Sequence, residues 1–287
     1  MLNWYIFAII CLFAYGIQYF LYNVSAKRKY NSAWTSVSYM ATVAILSTIF
    51  FLLSKQTISN FSILFLFAGL NAITFFSVTI TRIEAFKNIP ITIAFPIMRM
   101  HAVIVAIFSI IYFKEVISLY QIFGIVFATI MVIILSIPDK KEKIKKSKFN
   151  IGLILTFGAL LSAVFGSIIV KFSTLNDVNN LGFMFVSYFI STLFSLIFIK
   201  KLGEKGEEHS PGHALRLGFI IGIFNFVGFY AFMNAVKLGP LAVVSPLVSM
   251  SFVLSIILSV IIYKEKLNLR KSIGIGLAIL ATILMGL

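Results

Sequence analysis

Ten long, predominantly apolar runs, each closed by a polar break, constrain this chain more than any other feature. They fall at 3–22, 33–53, 61–81, 89–113, 119–138, 151–171, 181–199, 214–236, 241–263 and 269–287. A helix needs about 20 such residues to cross a bilayer core. Only helices and closed barrels satisfy their own backbone there, and no run alternates apolar and polar as an outer-membrane strand does. Of 287 residues, 60% are apolar and 11% charged, against about 25% charged in soluble domains. That leaves too little polar side chain to cover a surface in water. The expectation is an all-α integral membrane protein with ten transmembrane helices. The first run lacks preceding basic residues and a small-residue cleavage site, so it is expected to be retained.

Charge sets the expected orientation. Of 24 basic residues, 19 lie in or beside the breaks after the odd-numbered runs, 4 (Lys55, Lys114, Lys171 and Lys237) in or beside the even-numbered breaks, and Arg99 alone deep inside a run. Lys and Arg concentrate on the cytoplasmic side, so both termini are expected outside, in the plasma membrane. The net charge of +15 is then affinity for anionic headgroups at the cytoplasmic face, not for nucleic acid. With Cys11 the single cysteine and His101, His209 and His213 the only histidines, neither a disulfide framework nor a zinc site is expected. No nucleotide-binding loop appears, and no cofactor is expected. An enzyme is not expected: paired intramembrane Asp and a Ser–His arrangement are both missing.

The chain is written twice. At an offset of 150 residues, Ala85-x-Lys87-x-x-Pro90-x5-Pro96 falls on Ala235-x-Lys237-x-x-Pro240-x5-Pro246. Lys114-Glu115 and Gly124 then fall on Lys264-Glu265 and Gly274. Apolar residues coincide easily in membrane sequences; Lys, Glu, Pro and Gly agreeing in one register do not. The expected organisation is a five-helix repeat over 1–138, a basic linker over 139–148 acting as a solvated hinge, and a second five-helix repeat over 149–287. Five spans per repeat invert the second copy, the architecture of secondary transporters that expose a midplane site to each side in turn.

These motifs, occurring twice, resemble the EamA family of the drug/metabolite transporter superfamily. The resemblance implies a five-plus-five inverted-repeat carrier for amino acids, metabolites or related small solutes. Many relatives are described with both termini in the cytoplasm, and the charge count here departs from that.

Among candidate site residues, Arg99 is the strongest. It stands about ten residues inside its run, roughly 15 Å deep at 1.5 Å per residue, where a charge costs at least about 2.5–3.5 kcal/mol. It is expected to face the interior, as a solute contact or as a structural Arg held by helix-end carbonyls. His101, two residues on, is a candidate proton carrier; the second repeat has Ser249 and Ser251 at these positions. Asn71 and Asn225 lie on similar faces of repeat-related helices and read equally as solute contacts or helix–helix bonds. Asn234, Tyr39 and Tyr188 are further binding candidates, with Thr74 and Gln18 weaker ones. Pro96 and Pro246 read as hinges or as structural kinks. Lys114, Glu115, Lys264 and Glu265 read as boundary or gate charges, because neighbours in sequence cannot pair on one helix face. Gly218-x3-Gly222 and Gly274-x-Gly276 read as close helix contacts, and the Phe residues as lipid-facing and packing surface. All nine acidic residues are expected at span ends or in loops.

The function expected is a secondary transporter for a zwitterionic or anionic solute, with proton or ion coupling open. A flippase for a lipid-linked substrate is the alternative. Cationic drug export is less favoured, since the first run holds no carboxylate.

Overall fold

The computed structural model describes residues 3–89, 94, 97–135, 146–198, 211–264 and 269–287. Among the described residues every regular element is helical. The first repeat supplies α1 (Asn3–Lys27), α2 (Ser32–Ser54), α3 (Phe61–Asn88), α4 (His101–Tyr112) and α5 (Leu119–Leu135). The second supplies α6 (Lys146–Leu175), α7 (Asn180–Ile197), α8 (Pro211–Leu238), α9 (Leu241–Ser249), α10 (Ser251–Tyr263) and α11 (Leu269–Gly286). Eight segments are long and apolar enough to cross a membrane, with Leu241–Tyr263 counted as one; Ile97–Tyr112 and Leu119–Leu135 are shorter apolar helices.

Local chemistry sets the ends. Asn31, Asn60 and Asn179 stand at the N-caps of α2, α3 and α7, each side chain accepting from the backbone N–H three residues on, a bond generally worth about 1 kcal/mol. Lys114 and Lys264, matched at the 150-residue offset, both take left-handed φ of 53° just past their helices, so a boundary residue also closes the helix. Both side chains are exposed.

Two expectations about boundaries are corrected. Helix α3 does not stop near residue 81 but continues to Asn88. Arg82 and Glu84 are therefore helical residues, and Glu84 lies in the last turn of the candidate span Phe61–Phe86, at a span end as expected. The run 241–263 is not one helix: it breaks at Met250, where Met250 N–H donates to the Leu247 carbonyl at 3.2 Å and Val253 N–H to Met250 at 2.9 Å. The break repeats at Met100, which donates to Ile97 at 3.1 Å and accepts from Val103 at 3.1 Å. Pro246 remains inside α9, four residues before the break. Pro96, the 139–145 part of the linker and Glu265 lie outside the described residues.

The helices pair by an exchange rule. Helix α1 lies along α8 as α6 lies along α3, and α2 packs on α8 as α7 packs on α3; repeat-related segments also meet, α2 with α7, α5 with α11, and the matched broken segments through α4 and α9. Single residues obey it too. Gly124 faces Met285 and Gly274 faces Leu135, two contacts that interchange on shifting the numbering by 150. A Cβ on either glycine would stand 2.5–2.7 Å from its neighbour, so both must be glycine for α5 and α11 to approach. Gly218 and Gly222 seat α8 on Thr35, Ser38 and Thr42 of α2, whereas Gly276 contacts nothing. Outward faces are apolar: Leu52, Ile111 and Ile154 are 70–73% exposed, as a lipid-facing surface requires.

Candidate functional site

Along α1, Tyr15, Gln18, Tyr19 and Tyr22 recur at the spacing of one helix face. This is the polar stripe of an otherwise apolar helix, and it points inward. Gln18 Nε2 donates to the Tyr22 hydroxyl at 3.0 Å; Asn225 Nδ2 of α8 donates to Gln18 Oε1 at 3.1 Å; the Tyr188 hydroxyl of α7 donates to Asn225 Oδ1. The chain thus joins three helices from both repeats. Aromatic rings enclose it: Tyr22 meets Tyr39 edge-on at 6.0 Å, Tyr39 meets Phe75 of α3 at 6.5 Å, and Tyr188 lies 5.5 Å from Phe75 and 5.7 Å from Phe229. Gln18, Asn225, Tyr39 and Tyr188 are all buried, which satisfied hydrogen bonds permit.

Arg99 adjoins this cluster. It is 8% exposed, its Nη1 donates to the Ser249 carbonyl at 3.2 Å, and its guanidinium lies over the rings of Tyr19 (4.7 Å) and Phe252 (5.1 Å). Ser249 is the residue that matches Arg99 at the 150-residue offset, so the contact falls on the axis of the exchange rule. The carbonyl is at the C-terminal end of α9, where helix dipoles concentrate negative charge, and the rings add cation–π attraction. Beside Arg99 there is a void of only about 10 Å³, bordered by Met100, Val132 and Pro246, room for about one water.

Other sequence candidates sit apart. His101 Nδ1 donates to the Met98 carbonyl at 2.8 Å; a carbonyl only accepts, so the proton is on Nδ1. Asn234 donates to Tyr230 of its own helix at 2.8 Å. Asn71 is buried in α3. Thr74 does border a cavity, but its hydroxyl donates to the Asn71 carbonyl. That cavity, about 550 Å³, lies between α3, α4 and α6 and is walled mainly by Phe67, Phe108, Tyr112, Phe165, Ile168 and Phe172. It is apolar.

The Lys-Glu motif has a tertiary purpose. Glu115 reaches the other repeat, where its two carboxylate oxygens accept from Leu241 N–H at 3.0 Å and Ala242 N–H at 2.8 Å. These begin α9, whose N-cap is Pro240, a residue with no side-chain acceptor. Lys171 of α6 pairs with Glu115 at 2.8 Å and donates to the carbonyls of Val236 and Gly239 at 3.2 and 3.3 Å, where α8 ends. One buried ion pair thereby complements both helix ends of the α8–α9 turn, anion to N–H groups and cation to carbonyls. Sequence reading treated Lys171 as a loop charge and missed this role. It also left out Tyr22, Tyr15 and Tyr19, although the four-residue stripe in α1 was visible as a period.

Duplicated apolar helices that pair across an exchange axis, enclosing polar and aromatic side chains, define a multi-pass membrane protein of the internal-repeat kind. The model of the EamA-like transporter family matches residues 2–137 and again 150–287, and the chain belongs to that family. A protein known from its crystal structure is similar, with a TM-score of 0.77, 13% identity and coverage of 98% of this chain and 95% of that one; at that identity the likeness is one of fold. No curated protein matches the chain.

Proposed function

We propose that the protein is a secondary transporter that moves a small zwitterionic or anionic solute by alternating access, through ten membrane-spanning segments in two inverted repeats. The eight long helices together with 97–112 and α5 make up the ten, and the Lys and Arg distribution puts both termini outside the plasma membrane. The observation that carries the reading is the matched break at Met100 and Met250, with Arg99 bonded across the axis to the carbonyl at the end of α9. Two broken helices meeting at one buried cation supply a pivot and an anion-attracting centre together. The narrow void beside Arg99 corresponds to an occluded state; rocking of the repeats opens it. No cofactor takes part, and no catalytic step is assigned.

Arg99→Ala in proteoliposomes is expected to lower solute counterflow at least tenfold while circular dichroism and detergent elution are unchanged. Full transport by a folded variant rejects Arg99 as the contact. A second reading, movement of a lipid-linked substrate, draws support from the 550 Å³ apolar cavity, whose lining residues Leu70, Tyr112 and Phe165 are 42–58% exposed on the lipid side. Reconstituted protein that scrambles a fluorescent phospholipid, and moves no soluble solute, would favour it.

A further inference from the structure

We propose that the cavity between α3, α4 and α6 is a binding site for an acyl chain of one anionic phospholipid, held as a resident ligand. It goes beyond the carrier reading, does not depend on it, and gives the cavity a role other than movement of a lipid-linked substrate.

The site is built at helical spacing. Lining residues recur along one face of α3 from Phe67 to Thr74 and along one face of α6 from Phe165 to Phe172, while Phe108 and Tyr112 close it from α4. From Phe165 to Phe172 the helix rises about 10 Å, and Phe172 stands three positions before the end of α6 at Leu175. Tyr112 is the last residue of α4. The groove therefore runs inward from one membrane boundary and stops before the middle of the span Phe149–Leu175. That length fits within one leaflet, about half of a hydrocarbon core of about 30 Å. A phospholipid chain occupies the same depth, from boundary to midplane, whereas a partner helix that crosses the membrane needs a groove of full length.

The walls select hydrocarbon. The Thr74 hydroxyl is already bonded to the Asn71 carbonyl at 2.9 Å, and an apolar cavity does not hold water. Its volume, about 550 Å³, falls in the range of about 300–1,000 Å³ typical of ligand sites. Leu70, Tyr112 and Phe165 are 42–58% exposed, on a face where the surrounding medium is acyl chains. At the matched seam between α1 and α10 the protein closes the gap itself, Phe20 meeting Tyr263 at 5.9 Å; between α6 and α4 the lipid chain takes that part.

The mouth selects the headgroup. Tyr112 and Phe113 pack edge-on against Phe172 at 5.8 and 5.2 Å, which joins the ends of α4 and α6, and Lys114 follows them, exposed at the boundary. The acidic groups at this end have cations of their own: Glu115 pairs with Lys171 and Asp177 with Lys237. Lys114 is the positive charge in excess, and an ammonium is a suitable partner for a phosphate.

The test is native mass spectrometry of the full chain released from nanodiscs of equal phosphatidylglycerol and phosphatidylcholine. One retained phospholipid per chain is expected, with phosphatidylglycerol at least threefold preferred. Leu70→Trp, which fills the groove from its exposed rim, is expected to lower that occupancy at least tenfold; Ile168→Trp, from the floor, serves if it does not fold. Ile154→Trp, exposed on α6 outside the groove, is expected to change nothing, and Lys114→Gln to equalise the two lipids. Added phosphatidylglycerol is expected to raise the melting temperature of the wild type in detergent and not that of Leu70→Trp. Retention unchanged in a folded Leu70→Trp or Ile168→Trp variant, or equal retention of both lipids by the wild type, overturns the proposal. So does a second copy of the chain that is lost on these substitutions in place of a lipid, or a fluorescent phosphatidylglycerol that crosses the bilayer of proteoliposomes; the last result favours the lipid-movement reading. Solute counterflow that depends on Arg99 is read separately, so the carrier reading can stand while this proposal falls.

Discussion

Helices α1 and α6 occupy equivalent places in the two repeats and have opposite interiors. Where α1 carries Tyr15, Gln18, Tyr19 and Tyr22, α6 carries Phe165, Ile168, Ile169 and Phe172 at the matched positions. Their partners differ as well. Helix α10 closes on α1: Asn23 Nδ2 donates to the Ser259 hydroxyl at 3.1 Å, Phe20 meets the Tyr263 ring at 5.9 Å, and Lys27 lies over that ring at 3.7 Å. Helix α4 stands off from α6, leaving the apolar cavity between them. At the equivalents of Asn23 and Ser259, Ser173 turns back to Val170 of its own helix and the buried Ser109 hydroxyl has no hydrogen-bond partner among the described residues. One duplicated scaffold therefore holds a polar, closed seam and an apolar, open one. The lesson is that the repeat specifies the frame, and departures from it specify the chemistry.

The sharpest way to break this comparison is at the clamp beyond the open seam. Removing one partner of a buried ion pair generally costs about 3–5 kcal/mol, because the other charge is left uncompensated. Glu115→Ala is expected to cost that much, read as loss of thermal stability in detergent, and Glu115→Gln with Lys171→Met is expected to cost less than Glu115→Ala alone. Equal losses would mean the pair is not coupled. On the polar seam, Asn225→Leu strands Gln18 and Tyr188, each a buried group whose lost partner costs about 1–3 kcal/mol; denaturation midpoints report the loss. Ile168→Trp fills the apolar cavity and makes the two seams more alike. Thermal stability is expected to hold or rise while counterflow falls several-fold, and unchanged transport would remove that cavity from the cycle.

The smallest effect belongs to the exposed pair Lys237–Asp177, 2.8 Å apart, which joins the last turn of α8 to the loop after α6. The hydrogen bond from Lys237, and then its charge, hold the Asp177 carboxyl below its usual range. A depressed folded value adds stability above the unfolded value, and that contribution is lost as pH falls through the folded one. Both side chains are solvated, so a unit change of pH near neutrality is expected to leave the melting temperature unchanged. Lys237→Ala is expected to move the Asp177 titration, followed by carboxyl NMR, back upward.

The frame was legible in sequence because bilayer physics is coarse: apolar length predicted helices, and Lys, Glu, Pro and Gly in one register predicted the repeat. The site was legible only in part. Arg99, Asn225, Tyr39 and Tyr188 stood out as polar groups in apolar runs, and the structure places all four in or beside the central cluster. The helical place of Arg82 was hidden because a charge near a span end reads as the end itself, and α3 continues past it. Lys171 was hidden because its partner belongs to the other repeat, 56 positions away by the numbering of the ion pair, and no local period reports that. The breaks at Met100 and Met250 bear neither Gly nor Pro; the prolines that suggested hinges lie four residues earlier.

Glu115 finishes a helix that its own half of the chain does not contain. The first half of the gene thus encodes part of the second half's secondary structure: a second-half fragment would leave α9 without its cap, and a first-half fragment would leave Glu115 without Lys171. Separate expression of the halves is expected to yield degradation, and co-expression to rescue both. Duplication here produced mutual dependence, so that what began as two interchangeable copies can no longer be parted.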